Sequence, residues 1–311
     1  MAESSTIIEV ENLIKVYKQG SLEVIALQDL NLKVNRGEIL CIMGPSGSGK
    51  TTLLNQLGAI DRPTGGKINS CGKEITKLNE KELNAYRTFD IGFLFQDFNL
   101  SPVLSALDNI LLPMKIAKKL TREQQHNKAI ELLKRVNLEQ RKDHKPHELS
   151  GGEKQRVALL SAIANEPRIL IADEPTGELD STTTEDILKL LKEISNDYGL
   201  TNVIVTHNAA VSRIADRVLQ LKDGRISSLF SLKIQEGKET PSFELDSNYV
   251  LKHIYPPVNC EKCNSTDLFL QQPNKDPEIH ARSSHGLISV QLGFGSCKSC
   301  NYVNWGFKPI N

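Results

Sequence analysis

No sign of charge predominates in this chain: 38 Lys and Arg stand against 38 Asp and Glu, a formal net charge of +0. A protein that coats a polyanion carries a basic excess, so a nucleic-acid role here would need a local basic patch. Long apolar runs are missing as well. The longest, Val103 to Met114, is interrupted by Ser105, Asp108 and Asn109 and falls short of the roughly 18 residues that cross a bilayer. The N-terminus, MAESSTIIEV, lacks the basic-then-apolar pattern of a leader. The chain is therefore expected in the cytoplasm, and any work at a membrane requires another polypeptide to supply the membrane part. There is no internal repeat and no low-complexity tract. What remains, 39% hydrophobic and 24% charged over 311 residues, is the composition of an ordinary globular protein with room for one large and one small domain.

From residue 6 to about 229, strand-like and helix-like segments alternate. Strands are expected at Ile7–Val10, Leu30–Val34, Glu38–Met43, Ile91–Phe95, Ile169–Ala172, Asn202–Thr206 and Arg217–Leu221. Helices are expected at Lys50–Leu57, Glu80–Thr88, Ala106–Met114, Arg122–Val136, Glu153–Ala164, Thr183–Asn196 and Ala209–Ile214. Ile169–Ala172 and Val203–Val205 are continuous apolar runs, as in parallel strands buried on both faces. The fold class is α/β, with an antiparallel β portion at the N-terminus. The domains expected are residues 5–230, a polar linker at 231–248 that loses the periodicity, and a short β-prone tail at 249–311.

Gly44-Pro45-Ser46-Gly47-Ser48-Gly49-Lys50-Thr51 fits G-x-x-x-x-G-K-[ST] and stands between an apolar strand and a helix. Glycines let successive N–H groups turn inward as an anion-binding nest, and the helix aims its positive end at the same place. Lys50 suits the β- and γ-phosphates of ATP or GTP, and the Thr51 hydroxyl suits Mg²⁺. Thr52, next in line, joins the nucleotide-binding set. Ile169 to Glu174 is an apolar strand ending in two carboxylates. Asp173 suits the outer coordination of Mg²⁺, and Glu174 suits orientation and deprotonation of an attacking water. Leu149-Ser150-Gly151-Gly152-Glu153 opens a helix. Ser150 reads as an N-cap with Glu153 completing a capping box, and the same helix start is a second anion site.

These motifs, with Gln96 and His207, resemble the ATP-binding cassette ATPase family over about residues 6–229. The resemblance implies a P-loop fold of mixed sheet and helices with an antiparallel β subdomain and a helical subdomain. It implies that Tyr17 stacks on adenine, although a core or surface tyrosine is the alternative. It implies that Gln96 touches Mg²⁺ and the lytic water and begins a loop that senses a membrane partner. His207 would contact the γ-phosphate, and Leu179-Asp180 would cross a dimer seam. In this family Ser150, Gly151 and Gly152 of one subunit close on the nucleotide held by another. One chain has one of each, so two copies are implied, related by a two-fold. Binding of ATP would close the dimer, and hydrolysis would reopen it.

Val16 to Gly20, Leu57 to Thr64, Phe95 to Leu100 and Asp173 to Gly177 resemble the macrolide-export and lipoprotein-release branch. Its ATPases pair with membrane subunits of few transmembrane helices. Departures are Lys154, Ser161-Ala162-Ile163 where relatives carry an Arg-Ala-Leu run, and Glu178 in place of a small or amide residue.

Of six cysteines, Cys41 and Cys71 are isolated and read as small core residues. Cys260, Cys263, Cys297 and Cys300 form two C-x-x-C pairs, whose spacing suits a structural, tetrahedral Zn²⁺. Asp267–Leu270 and Leu287–Leu292 are expected as a hairpin between them. His280 and His285 are read as exposed loop residues. The tail resembles a small β-rich zinc ribbon, which the usual export ATPase lacks.

Two functions are weighed. One is an ATPase subunit peripheral on the inner face of the cell membrane through a transmembrane permease subunit, with the ribbon as accessory. The other is a soluble cassette ATPase acting on nucleic acid or ribosomes through the ribbon. Residues 249–311 hold six Lys/Arg and four Asp/Glu without a basic cluster, so no nucleic acid is expected. The presence of Glu174 and His207 disfavours a non-catalytic structural role.

Overall fold

In the computed structural model the described residues are 5–20 and 22–227, followed by strand segments only, at 232–233, 242–243, 268–271, 279–283, 286–297 and 303–309. The chain divides into two compact units, residues 1–215 with 221–226 and residues 216–220 with 227–311.

The first unit opens with β1 (Thr6–Gln19) and β2 (Leu22–Asn35), antiparallel strands far longer than the expected Ile7–Val10 and Leu30–Val34. Register shifts between Val10 and Leu13, and again on either side of Lys15, explain the shortfall. Asn12 takes a left-handed backbone (φ 49°), so the apolar alternation breaks although the ladder goes on. After β3 (Ile39–Met43) and α1 (Lys50–Leu57), β4 (Gly65–Ser70) and β5 (Lys73–Glu74) complete a four-stranded sheet of order β2-β1-β4-β5. The last two strands are absent from the sequence expectations, since Gly65-Gly66-Lys67 carries no strand signal.

The central sheet adds β6 (Ile91–Leu94), β7 (Ile169–Asp173), β8 (Thr201–Thr206), β9 (Arg217–Lys222) and β10 (Arg225–Ser227), in the order β10-β9-β3-β8-β7-β6. Strands β3, β8, β7 and β6 run parallel. All of β3 and β8 and residues 169–172 of β7 are buried, as strands covered on both faces must be. Register fixes where these strands stop. Met43 lies beside Thr206, and Asp173 beside Val205, so they finish level at one carboxyl edge.

The other helices are α2 (Glu80–Phe89), α3 (Ala106–Ala117), α4 (Arg122–Arg135), α5 (Gly151–Ile163) and α6 (Ser181–Tyr198). Each starts at a side-chain cap: Asn79, Ser105, Thr121, Ser150 and Asp180. Ala209–Ile214, expected as a helix, is only a 3₁₀ segment. Helix α3 runs past Pro113, which cannot donate to the Asn109 carbonyl four residues back. The Ser161 hydroxyl of α5 donates to that carbonyl instead, at 3.1 Å. Asn165 Nδ2 donates to the Pro113 carbonyl at 3.1 Å. Ser161, one of the departures from the family pattern, thus joins α5 to the proline turn of α3.

In the second unit, β11 (Leu232–Lys233), β12 (Ser242–Phe243), β13 (Leu268–Gln271), β14 (Ile279–Ser283), β15 (Gly286–Cys297) and β16 (Val303–Pro309) form a sheet of order β11-β12-β14-β15-β13, with β16 also on β15. The stretch read as a linker contributes β11 and β12. The hairpin between 267–270 and 287–292 does not form. Residues 287–290 pair with β14, which ends just before β15 begins, and a short closure costs less chain entropy. β13 instead meets the far end of β15, Leu268 opposite Cys297. Cys260, Cys263 and Cys300 lie outside the described residues, as do the side chains of Cys297 and His280 and all of His285.

Ser161→Ala is expected to lower stability by about 1 kcal/mol, the ordinary value of one such hydrogen bond. Urea denaturation measures it, and an unmoved midpoint would show that the Asn109 carbonyl does not depend on Ser161.

Candidate functional site

The carboxyl edge of β3 turns directly into the loop 44–49. Glycine is required at two positions for steric reasons. A Cβ on Gly44 would lie 2.2 Å from the Leu221 carbonyl oxygen, and one on Gly49 would lie 2.5 Å from the Ala26 carbonyl oxygen. Gly49 also holds φ +100°, a backbone that L side chains rarely adopt. Helix α1 starts there with no side-chain cap. Its first-turn N–H groups therefore face the loop, where an anion can satisfy them. Ser48 Oγ, buried inside the loop, has no hydrogen-bond partner. A buried hydroxyl without a partner is costly unless something occupies the concavity.

Lys50 Nζ donates to the carbonyls of Gly44 (2.8 Å) and Pro45 (3.0 Å). Burial lowers its pKa, and the nearby charges of Glu174 and Asp173 work in the opposite direction. Asp173 sits at the end of β7. Burial raises its pKa, with Glu174 adding to the rise, while a hydrogen bond from Thr51 and the Lys50 charge oppose it. Thr51 and Asp173 therefore form a hydroxyl–carboxylate pair beside Lys50, a donor set of hard oxygens that fits Mg²⁺.

Glu174 is buried and takes a left-handed backbone, φ 46°, which costs on the order of 1–2 kcal/mol for a residue with a Cβ. That turn aims its carboxylate at the end of β8. The carboxylate accepts from the Thr206 hydroxyl (2.7 Å) and from the His207 backbone N–H (3.1 and 3.2 Å), and it lies 2.8 Å from His207 Nδ1. The His207 side chain itself is 68% exposed. Gln96, just past β6, brings its Nε2 to 3.5 Å from where a Cβ on Gly177 would stand. Lys50, Thr51, Asp173, Glu174, His207 and Gln96 are thus gathered at one edge of one sheet.

Tyr17 lies on β1, 40% exposed, and its hydroxyl donates to Asp61 Oδ2 at 3.0 Å. Its pKa is raised, first by partial burial and also by Asp61, while a hydrogen bond with Thr52 opposes the rise. Tyr17 and Thr52 are therefore neighbours beside α1. Ser150 caps α5 in the expected box: its Oγ accepts from the Glu153 N–H (3.2 Å), and Glu153 Oε2 accepts from the Ser150 N–H (2.8 Å). Gly152 is packed so closely against Thr183 that a Cβ there would meet Thr183 Cγ2 at 2.5 Å, and Gly151 faces Leu179. The Ser150 turn thus lies against Leu179 and the start of α6, which Asp180 caps.

Several supporting residues are not legible in the sequence. Thr206 clamps Glu174. Asn208 Nδ2 donates to Thr176 Oγ1 at 3.1 Å. Gln155, on α5, donates to the Pro175 carbonyl at 2.7 Å and so ties the Ser150 helix to the turn after Glu174. Only Thr206 leaves a trace in the sequence, a hydroxyl ending an otherwise apolar strand. Cys41 and Cys71 are buried with free thiols, and burial pushes the Cys41 thiol up to about 12. Among the described residues no cluster of His, Cys, Asp or Glu is arranged to hold a metal by itself, and no helix is long and apolar enough to cross a membrane.

Thr206→Val keeps the shape and removes the donor from a buried carboxylate. A loss of about 1.5–3 kcal/mol is expected by chemical denaturation; an unchanged stability would mean that His207 alone holds Glu174.

Residues 27–177 match the family described as ABC transporter. An uncharacterized ABC transporter ATP-binding protein of Methanocaldococcus jannaschii is 46% identical over 222 residues, 70% of this chain and 94% of its own length. The lipoprotein-releasing system ATP-binding protein LolD of Bacteroides fragilis is 44% identical over 219 residues, 70% of this chain and 99% of its own. The macrolide export ATP-binding/permease protein MacB of Rhodopirellula baltica is 44% identical over 221 residues, and the chain spans 32% of that longer protein. A solved structure of the M. jannaschii cassette, a dimer in a post-hydrolysis state bound to ADP and Pi, superposes with a TM-score of 0.66 at 43% identity. The match covers 71% of this chain and 96% of the other.

Proposed function

Because the chain belongs to the family of ABC transporter ATP-binding proteins, and is the ATP-hydrolysing subunit of a transporter, we propose a division of labour among its residues. The observation that carries it is the convergence of the phosphate loop, Asp173, Glu174, His207 and Gln96 on the common carboxyl edge of β3, β7, β8 and β6. Residues Gly44, Pro45, Ser46, Gly47, Ser48 and Gly49 wrap the phosphates, Pro45 shaping the turn without an N–H of its own and the others offering their backbone N–H groups together with the start of α1. The Lys50 ammonium exchanges its two carbonyl acceptors for phosphate oxygens. Thr52 flanks the same helix start, and Tyr17 offers its ring to the adenine. Thr51, Asp173 and Gln96 would hold Mg²⁺, which when bound neutralises charge on the β- and γ-phosphates.

Glu174 takes the proton of the attacking water as its oxygen bonds to the γ-phosphorus. The bond from that phosphorus to the β–γ bridging oxygen breaks, and ADP leaves. Thr206 and the His207 backbone hold one orientation of the carboxylate, and the His207 ring, largely in solvent with its Nδ1 beside Glu174, turns its outer edge to the γ-phosphate. Ser150, Gly151 and Gly152 act on the nucleotide of a second copy of this chain. Support comes from the dimer formed by the M. jannaschii relative and from the capped start of α5, where Ser150 is exposed. Leu179 and Asp180, packed beside that turn, lie at the same seam.

The membrane partner is a permease of the macrolide-export and lipoprotein-release type, which places the chain at the inner face of the cell membrane. LolD and MacB support that branch. A cavity of about 400 Å³ lined by Phe93, Phe98, Leu100, Leu112 and Ile116 opens beside the Gln96 loop and suits an apolar cytoplasmic segment of such a partner. In the tail, Cys260, Cys263, Cys297 and Cys300 hold one structural Zn²⁺. The pairing of Leu268 with Cys297 supports this, because it ties the strand after the first cysteine pair to the strand that leads into the second.

Glu174→Gln is expected to abolish ATP turnover while leaving ATP-dependent dimerisation intact, read by phosphate release and by light scattering. Undiminished hydrolysis would sink the assignment of the base. Metal analysis of the full chain is expected to find one zinc per molecule, lost in Cys260→Ser; a metal-free wild-type protein overturns the ribbon.

A further inference from the structure

Lys15 is a nearly buried lysine whose charge is directed at the turn that follows α1. Its Nζ donates to Asp61 Oδ1 (2.8 Å) and to the Arg62 carbonyl (2.7 Å). Asp61 is the hub of the cluster. It also accepts from the Tyr17 hydroxyl (3.0 Å), from Gln56 Nε2 (3.2 Å) and from the Arg62 backbone N–H (2.8 Å). Gln56 belongs to α1, the helix that opens at the phosphate loop, and Lys15 and Tyr17 belong to β1. The same ammonium stands 4.8 Å from the centroid of the Tyr17 ring. One face of that ring is therefore occupied by a cation, and an aromatic held between a cation and a hydroxyl acceptor has a single orientation. At 40% exposure the ring still offers surface to a ligand.

We infer that Lys15 and Asp61 are positioning residues for the nucleobase: together they lock the Tyr17 ring against one end of α1, so that a base stacks on its open face at a set distance from the phosphates. This rests on the reading of Tyr17 as the base-stacking residue. An exposed ring free to rotate loses conformational freedom when a base lands on it, and a ring already fixed does not. Lys15 and Asp61 direct their hydrogen bonds to each other and to Tyr17, Gln56 and Arg62 rather than to the loop 44–49, so their effect is expected on the base.

The test compares ATP with inorganic tripolyphosphate, which has the phosphates and no base, using the full-length protein and steady-state phosphate release. Asp61→Ala is expected to raise the ATP KM about tenfold, the scale of one base–aromatic stack, and to leave the inhibition constant of tripolyphosphate where it was. Asp61→Ala combined with Tyr17→Ala should be no worse than Tyr17→Ala alone. Asp61→Asn, which keeps acceptors for Tyr17 and Arg62, should give a smaller rise and serves if the alanine variant does not fold. An unchanged ATP KM in both Asp61 variants, with Tyr17→Ala still impaired, overturns the clamp and leaves the Tyr17 reading standing. ATP KM and tripolyphosphate inhibition weakening together would also overturn it, because the cluster would then be bracing α1. If Tyr17→Ala itself leaves the ATP KM unmoved, the stacking reading falls and the clamp with it.

Discussion

Parallel hydrogen bonding from β6 through β7 and β8 to β3 is the constraint on which the site depends. Parallel strands cannot be joined by tight turns, so the chain crosses over after each and returns with its next carboxyl end at the same edge. Four connections therefore begin side by side: the loop before α1, the Gln96 loop after β6, Asp173-Glu174 after β7, and His207 after β8. Groups separated by more than a hundred residues meet with no side chain having to reach far.

Within that frame, charge is managed by burial and by short contacts rather than by ion pairs in solvent. The charges of Asp173 and Glu174 act on the protonation of Lys50, and those of Glu174 and Lys50 on that of Asp173. Each is also held by a neutral partner: loop carbonyls for Lys50, the Thr51 hydroxyl for Asp173, and the Thr206 hydroxyl with a backbone N–H for Glu174. Neutral hydrogen-bond partners can be exchanged when a phosphate arrives, whereas a tight lysine–carboxylate pair would have to be broken first. The left-handed backbone at Glu174 belongs to the same arrangement, a modest strain that the β7–β8 register sustains.

Single hydrogen bonds join the distant parts. Gln155 links the Ser150 helix to Pro175, and Ser161 links that helix to the proline turn of α3. Helix α5 is thus tied both to the turn after Glu174 and to α3. The Lys15–Asp61 cluster does the same between β1 and α1, through Tyr17 on one side and Gln56 on the other.

Local chemistry alone made much of this legible. The phosphate loop, the strand ending in Asp173-Glu174 and the Ser150 capping box each carry their signature within a few consecutive residues, and helix α1 runs over the expected Lys50–Leu57 because a glycine loop and a leucine pattern bracket it. Long-range pairing supplied the rest. β1 outlasts its own alternation because bulges shift its register, β4 exists only because β1 offers an edge, and α3 passes through Pro113 because Ser161, distant in sequence, takes the orphaned carbonyl. Thr206, Gln155, Lys15 and Asp61 are unremarkable residues until the fold sets them against Glu174, Pro175 and Tyr17. Which residue types can hold a triphosphate is a property of short segments and is written in them; which neutral neighbours steady those groups depends on contacts between segments that no periodicity encodes.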